Sequence, residues 1–285
     1  MTRIPTAPPR SRQRGASLVE ATVVIPLLLF IVLAIMQAAM VFYAKSNVNY
    51  ASFEAARAGS VNNASAASIT LAFQKGLLPY YGGGSTVGEL AATMSKVLLD
   101  ATGAAVRVEI LSPSQESFTD YNSPKLQAAL KVAEPVIPNV GLDELSCPRD
   151  VSGCASDPKT NASGQTLLDA NLLKLRITYG IPEKKQMPIV GRFYTWALSK
   201  MGVGATDAFQ QSLIAAGRIP IVTQAVVRMQ SDAIKNSLMA SLPGPGNEGT
   251  PTDPGLPPIK PLPDCPISNP TCRGSDGPPP DPPCV

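Results

Sequence analysis

The 285-residue chain carries 24 basic and 21 acidic residues, 29 prolines, five cysteines and no histidine. The missing histidine excludes Ser-His-Asp and Cys-His catalytic sites and the usual zinc-hydrolase ligand sets. Arg3, Arg10, Arg12 and Arg14 precede residue 15, leaving 20 basic against 21 acidic residues in the remainder; a nucleic-acid binder normally shows its basic face on its folded part, so no nucleic-acid partner is expected.

The basic leader, residues 1–15, runs into an apolar stretch from Ala21 to Ala44, ATVVIPLLLFIVLAIMQAAMVFYA, with no charge across 24 positions. As a helix it spans roughly 36 Å, enough to cross a hydrocarbon core of about 30 Å, so membrane lipid is its expected surrounding. It is too long for the apolar region of a cleaved secretory signal, which is roughly 7–15 residues. The arginines before it predict a cytoplasmic N-terminus and an exported C-terminal part. Phe42 and Tyr43 fall where an outer aromatic belt is expected.

The junction reads Arg14-Gly15-Ala16-Ser17-Leu18-Val19-Glu20. A carboxylate at the lip of an apolar helix is costly unless it has a partner. Ser17-x-x-Glu20 fits a capping box, and Glu20 complements the positive helix end. The same residues resemble a prepilin processing site, and the two readings are compatible. That resemblance implies a prepilin peptidase that cuts after Gly15, making Ala16 the N-terminus and Glu20 the fifth mature residue. In a helical assembly Glu20 would then neutralise the α-amino group of a neighbouring Ala16, where an unpaired buried charge is costly.

Residues 14–60 resemble the TadE-like family of tight-adherence (Flp-type) pilus systems. The resemblance rests on Arg14-Gly15, Glu20, Pro26, Phe42-Tyr43 and the run Phe53-Glu54-Ala55-Ala56-Arg57-Ala58-Gly59. Major pilins of those systems are much shorter and usually carry tyrosine after the glutamate. Ala21 stands there in this chain, which favours the minor, pseudopilin-like branch. Asn171–Gly180 and Ile219–Gln230 resemble segments of longer family members more loosely. The resemblance implies a role in pilus assembly and cell adhesion. Its implied partners are the prepilin peptidase, other pilin and pseudopilin subunits and the pilus assembly platform. It also implies a bacterial inner-membrane protein with a periplasmic domain, available for incorporation into a surface pilus. The competing reading is an unprocessed, signal-anchored envelope protein acting as a binding or scaffold module.

The expected fold is α+β: a long N-terminal transmembrane helix (residues 16–44) continuing into a small pilin-like domain (residues 45–242) with an antiparallel sheet. Val48, Ala51, Ala55 and Ala58 form a narrow stripe of helical period that can pack on a sheet, with Gly59 as the stop signal. Helices are predicted over Ala64–Leu78 and Thr86–Ala101, the second with a stripe of Val87, Leu90, Met94, Val97 and Leu98. Gly82-Gly83-Gly84 between them reads as a flexible turn, not a phosphate loop. Strands are predicted over Ala105–Leu111, Leu172–Tyr179 and Ile219–Met229, with apolar residues alternating with Arg107, Glu109, Lys174, Arg176 and Thr178. A short helix over Gly191–Met201 holds the only tryptophan, Trp196.

The insertion from Ser112 to Gly164 reads as loop-rich. Cys147/Cys154 and Cys265/Cys272 share a Cys-Pro-x5-Cys pattern, which in an exported chain predicts two local disulfides and leaves Cys284 as a free thiol or an intermolecular link. No catalytic residue, metal or cofactor is expected. Asp143-Glu144 and Glu183-Lys184-Lys185 read as solvated loop charges. Asn63-Ala64-Ser65 and Asn161-Ala162-Ser163 match a glycosylation acceptor by chance as easily as by design. The last segment, residues 243–285, holds 15 prolines and is expected to be a disordered or polyproline-II tail.

Overall fold

The structure is a computed structural model. It describes residues 16–139, 147–148, 150–151, 153–157, 160–201 and 207–241, the side chains of residues 16–19 and 201 excepted. The leader with Gly15, the acidic pair Asp143-Glu144, and the tail with Cys265, Cys272 and Cys284 lie outside the described residues.

Helix α1 (Ala16–Val61) is continuous over 46 residues, about 69 Å at 1.5 Å per residue. It passes Gly59, the expected stop, because that glycine serves packing. A Cβ there would lie 2.8 Å from Ile69 Cγ1 and 2.9 Å from Leu173 Cδ2. The chain reverses instead at Asn63 and Ala64, both left-handed with φ of 55° and 56°. Helix α2 (Ala66–Gly76) returns along α1 and leads into a 3-10 turn over Leu78–Tyr81.

Gly82 (φ 110°) and Gly83 (φ 61°) then redirect the chain. The turn is fixed by a hydrogen bond from Thr93 Oγ1 to the Gly83 carbonyl, 2.7 Å. Helix α3 (Val87–Asp100) begins with a capping box of Thr86 and Glu89. Its predicted stripe is largely uncovered: Val97 is buried and Met94 half-buried, but Val87, Leu90 and Leu98 are exposed. The helix leans on the 3-10 turn and α2, so the contact is too narrow to cover the stripe.

The sheet is antiparallel, in the order β1 (Val106–Ser112), β3 (Leu172–Ile181), β4 (Ile219–Arg228). Between β1 and β3 the chain is more ordered than its loop-rich sequence implies. It forms α4 (Ser117–Tyr121), α5 (Pro124–Leu130), the short strand β2 (Val136–Ile137) and α6 (Leu167–Ala170). Ser114, Ser117 and Gln165 are joined there by buried hydrogen bonds of 2.6–3.0 Å, so polar residues form a core that hydrophobic periodicity does not reveal. Cys147 and Cys154 form the expected disulfide, with Cα atoms 5.9 Å apart. After β3 come α7 (Val190–Met201) and α8 (Ala208–Ala215), and β5 (Ala233–Ile234) pairs antiparallel with β2.

One face of the sheet carries the core. Leu173, Leu175, Ile177 and Tyr179 of β3 are fully buried with Ile69 and Phe73 of α2 and the Ala51–Ala55 stripe of α1. The other face is more closed than the alternation suggests. Thr178 is buried, and Arg107 pairs with Glu109 (3.5 Å) and with Asp207 while lying 4.9 Å above the Phe209 ring. Burial raises the Asp207 carboxyl, but the Gln210 amide and the Arg107 guanidinium outweigh it and hold it below its ordinary value.

Candidate assembly helix and the domain mounted on it

Helix α1 divides into two parts by exposure. From Glu20 to Val32 every residue is exposed. Its most apolar window has a mean hydropathy of 2.7. Such a surface on a soluble chain would be a liability; here the length and composition suit a single membrane span. Glu20 stands exposed at the start of this bare segment. The helix already includes Ala16 and Ser17, so Ser17 is not the residue before the helix that a capping box requires.

Burial starts one turn beyond Val32. Gln37, Ala44, Val48, Ala51, Ser52, Ala55 and Ala56 are buried and follow helical spacing. The small side chains let two partners approach. On one side Ala51 meets α2 so closely that a Cβ on Gly76 would lie 2.6 Å from the Ala51 Cα. On the other, Ser52 and Thr223 of β4 share a buried hydroxyl hydrogen bond of 2.6 Å. Ala58, expected in the stripe, is half-buried at its edge.

The run Phe53–Gly59 thus has a physical reading. Ala55 and Ala56 face inward, and Gly59 admits Ile69 and Leu173. Phe53, Glu54 and Arg57 point away from the core, Glu54 and Arg57 pairing at 3.5 Å. Phe53 and Arg57, with Tyr50, line an open groove of about 900 Å³ closed by Lys75 of α2 and Val226 of β4.

Near the C-terminal end of the apolar run, Tyr43 lies 6.0 Å from Tyr80, ring to ring. Tyr81 and Tyr179 share a buried hydroxyl hydrogen bond of 2.7 Å. Burial pushes the Tyr80, Tyr81 and Tyr179 hydroxyls well above the ordinary tyrosine value. Lys185 sits 5.2 Å from the Tyr80 and Tyr81 rings and donates to the Tyr80 carbonyl at 3.2 Å. Lys184 pairs with Asp100 at 2.5 Å and Glu183 with Arg192 at 2.6 Å. Glu183 and Lys184 are exposed, as the sequence reads, while half-buried Lys185 alone is packed against the tyrosine cluster.

Both Asn-Ala-Ser triplets are structural. Asn63 donates to the Asp232 carbonyl (2.7 Å) and buried Asn161 to the Gln165 carbonyl (2.7 Å). Gln37 is the residue that sequence reasoning missed. Its Oε1 accepts the Met187 amide at 2.7 Å; an amide within an otherwise apolar run was the available signal.

Residues 15–57 match the family model described as TadE-like protein, so the resemblance read from the junction and the anchor holds over that segment. No curated protein and no solved structure matches the chain.

Proposed function

We propose that this chain, with its TadE-like N-terminal segment, is a minor pilin or pseudopilin that helps assemble a tight-adherence, Flp-type pilus. A prepilin peptidase removes residues 1–15, cutting after Gly15. One observation carries the reading. From Ala16 onward the TadE-like segment is a single uninterrupted helix, bare and apolar over Glu20–Val32 and clad by an α+β domain farther along. Such a subunit can rest in the bacterial inner membrane, N-terminus cytoplasmic and domain periplasmic, and enter a fibre by that same bare helix. Its partners are then other pilin and pseudopilin subunits and the assembly platform. Its role is structural, with no catalytic residue and no cofactor.

Glu20 is the assembly residue, neutralising the Ala16 amine of a neighbouring subunit within an apolar bundle. The test is complementation of a deletion strain. Wild-type chain should restore surface pili; Glu20→Ala should reach the membrane in equal amount and leave the cells bald. Normal piliation by Glu20→Ala would refute this role.

A further inference from the structure

We propose that α7, with the preceding Ile189, is a second membrane-contacting element that lies in the outer leaflet beside the anchor, its occupant being phospholipid. The inference rests on the anchor reading of α1 and adds to it a site in the exported domain.

Bare helix runs from Glu20 to Val32, 13 residues, or about 20 Å against a hydrocarbon core of about 30 Å, and Ala16 is the lowest start open to the span. The span cannot begin lower without drawing Arg14 into the hydrocarbon. Its outer boundary therefore falls near residue 36 if the core begins at Ala16, and near Met40 if it begins at Ala21. Yet α7 already packs on α1 below that level. The Phe193 and Phe30 rings lie 5.5 Å apart, and the Met187 amide is bonded to Gln37. A membrane that holds α1 must reach α7.

The exposed surface of α7 suits that depth. Ile189 is 74% exposed, Phe193 50% and Trp196 56%, and the Phe193 and Trp196 rings lie 5.5 Å apart. Lys200 falls seven residues after Phe193 on the same face, and Arg192 flanks it, both exposed. An apolar stripe that ends at Lys200, with Arg192 beside it in its ion pair with Glu183, suits a helix lying in the interface, its apolar face buried about 5–10 Å. Ile189 adds an independent sign. It is a β-branched residue held at φ 67°, a strained conformation, and neither burial nor local preference accounts for an isoleucine there. The Gln37 bond fits as well, since a backbone N–H at lipid depth needs a partner from protein.

The chain supplies its own probe, because Trp196 is its only tryptophan. The full-length protein is reconstituted into phosphatidylethanolamine–phosphatidylglycerol vesicles containing brominated-acyl phosphatidylcholine. Flotation and resistance to alkaline extraction are scored on the same sample. A Trp196→Phe, Tyr50→Trp variant reports from an exposed site beyond the span. Trp196 emission should be blue-shifted, lose most of its intensity to bromolipid and resist aqueous acrylamide; the residue-50 reporter should respond to acrylamide alone. An integrated protein whose Trp196 ignores bromolipid overturns this inference and leaves the anchor standing, whether acrylamide reaches the ring or another protein surface shields it. A chain that does not float with the vesicles overturns both.

Discussion

Replacing Gly76 by alanine tests whether the domain is mounted on α1 by direct backbone contact. A Cβ at position 76 would lie 2.6 Å from the Cα and 2.8 Å from the Cβ of Ala51. Neither atom is the end of a flexible side chain, so one helix must move off the other. Overpacking of this kind costs roughly 1–3 kcal/mol, against which alanine regains up to about 1 kcal/mol of helix propensity. The net expectation is a loss of about 1–2 kcal/mol, or roughly 2–8 °C in Tm for a domain of this size. Gly88→Ala is the internal control: Gly88 is also helical, in α3, with nothing within 4 Å of its added Cβ. It should gain about 0.5–1 kcal/mol. Thermal unfolding of the full chain in detergent, followed by circular dichroism, reads both. If Gly76→Ala matches or exceeds the wild-type Tm, α1 and α2 are not in the contact described.

Tyr81→Phe or Tyr179→Phe alone leaves a buried hydroxyl without its 2.7 Å partner and should cost about 1–3 kcal/mol. The double variant should cost less than the sum of the two, and strict additivity in the unfolding cycle would contradict the pairing. Burial raises the Tyr80, Tyr81 and Tyr179 hydroxyls, and Tyr121 is pushed up to about 12. The unfolded chain therefore releases these protons first. Stability should be complete below the ordinary tyrosine value of 10.0 and fall as pH rises through the raised values. A Tm unchanged between neutral and strongly alkaline buffer would refute that burial.

What the sequence made legible follows from how much each feature depends on local pattern. The apolar helix and the three long strands are set by runs of apolar or alternating residues, and they stand where those runs lie. The helix end did not, because Gly59 is retained for Ile69 and Leu173, partners remote in sequence, and a glycine kept for packing looks the same as a glycine that stops a helix. The α3 stripe has helical period, yet period alone does not say that a neighbour will cover it. The serine–glutamine core around Ser117 and Gln165 has no hydrophobic period at all. Short α8 and the two-residue strands β2 and β5 depend on tertiary pairing. Gln37 stood in plain view within the apolar run, but its meaning required the Met187 loop to be placed against it.

Whether this helix is a processed pilin helix decides between a pilus subunit and a signal-anchored envelope protein. The most direct measurement is the mass of the mature N-terminus, taken on protein purified from membranes of cells carrying the tight-adherence machinery. An N-terminal peptide beginning at Ala16 is the predicted result. A peptide beginning at Met1, or retaining Arg14, would contradict it and leave an unprocessed, signal-anchored envelope protein.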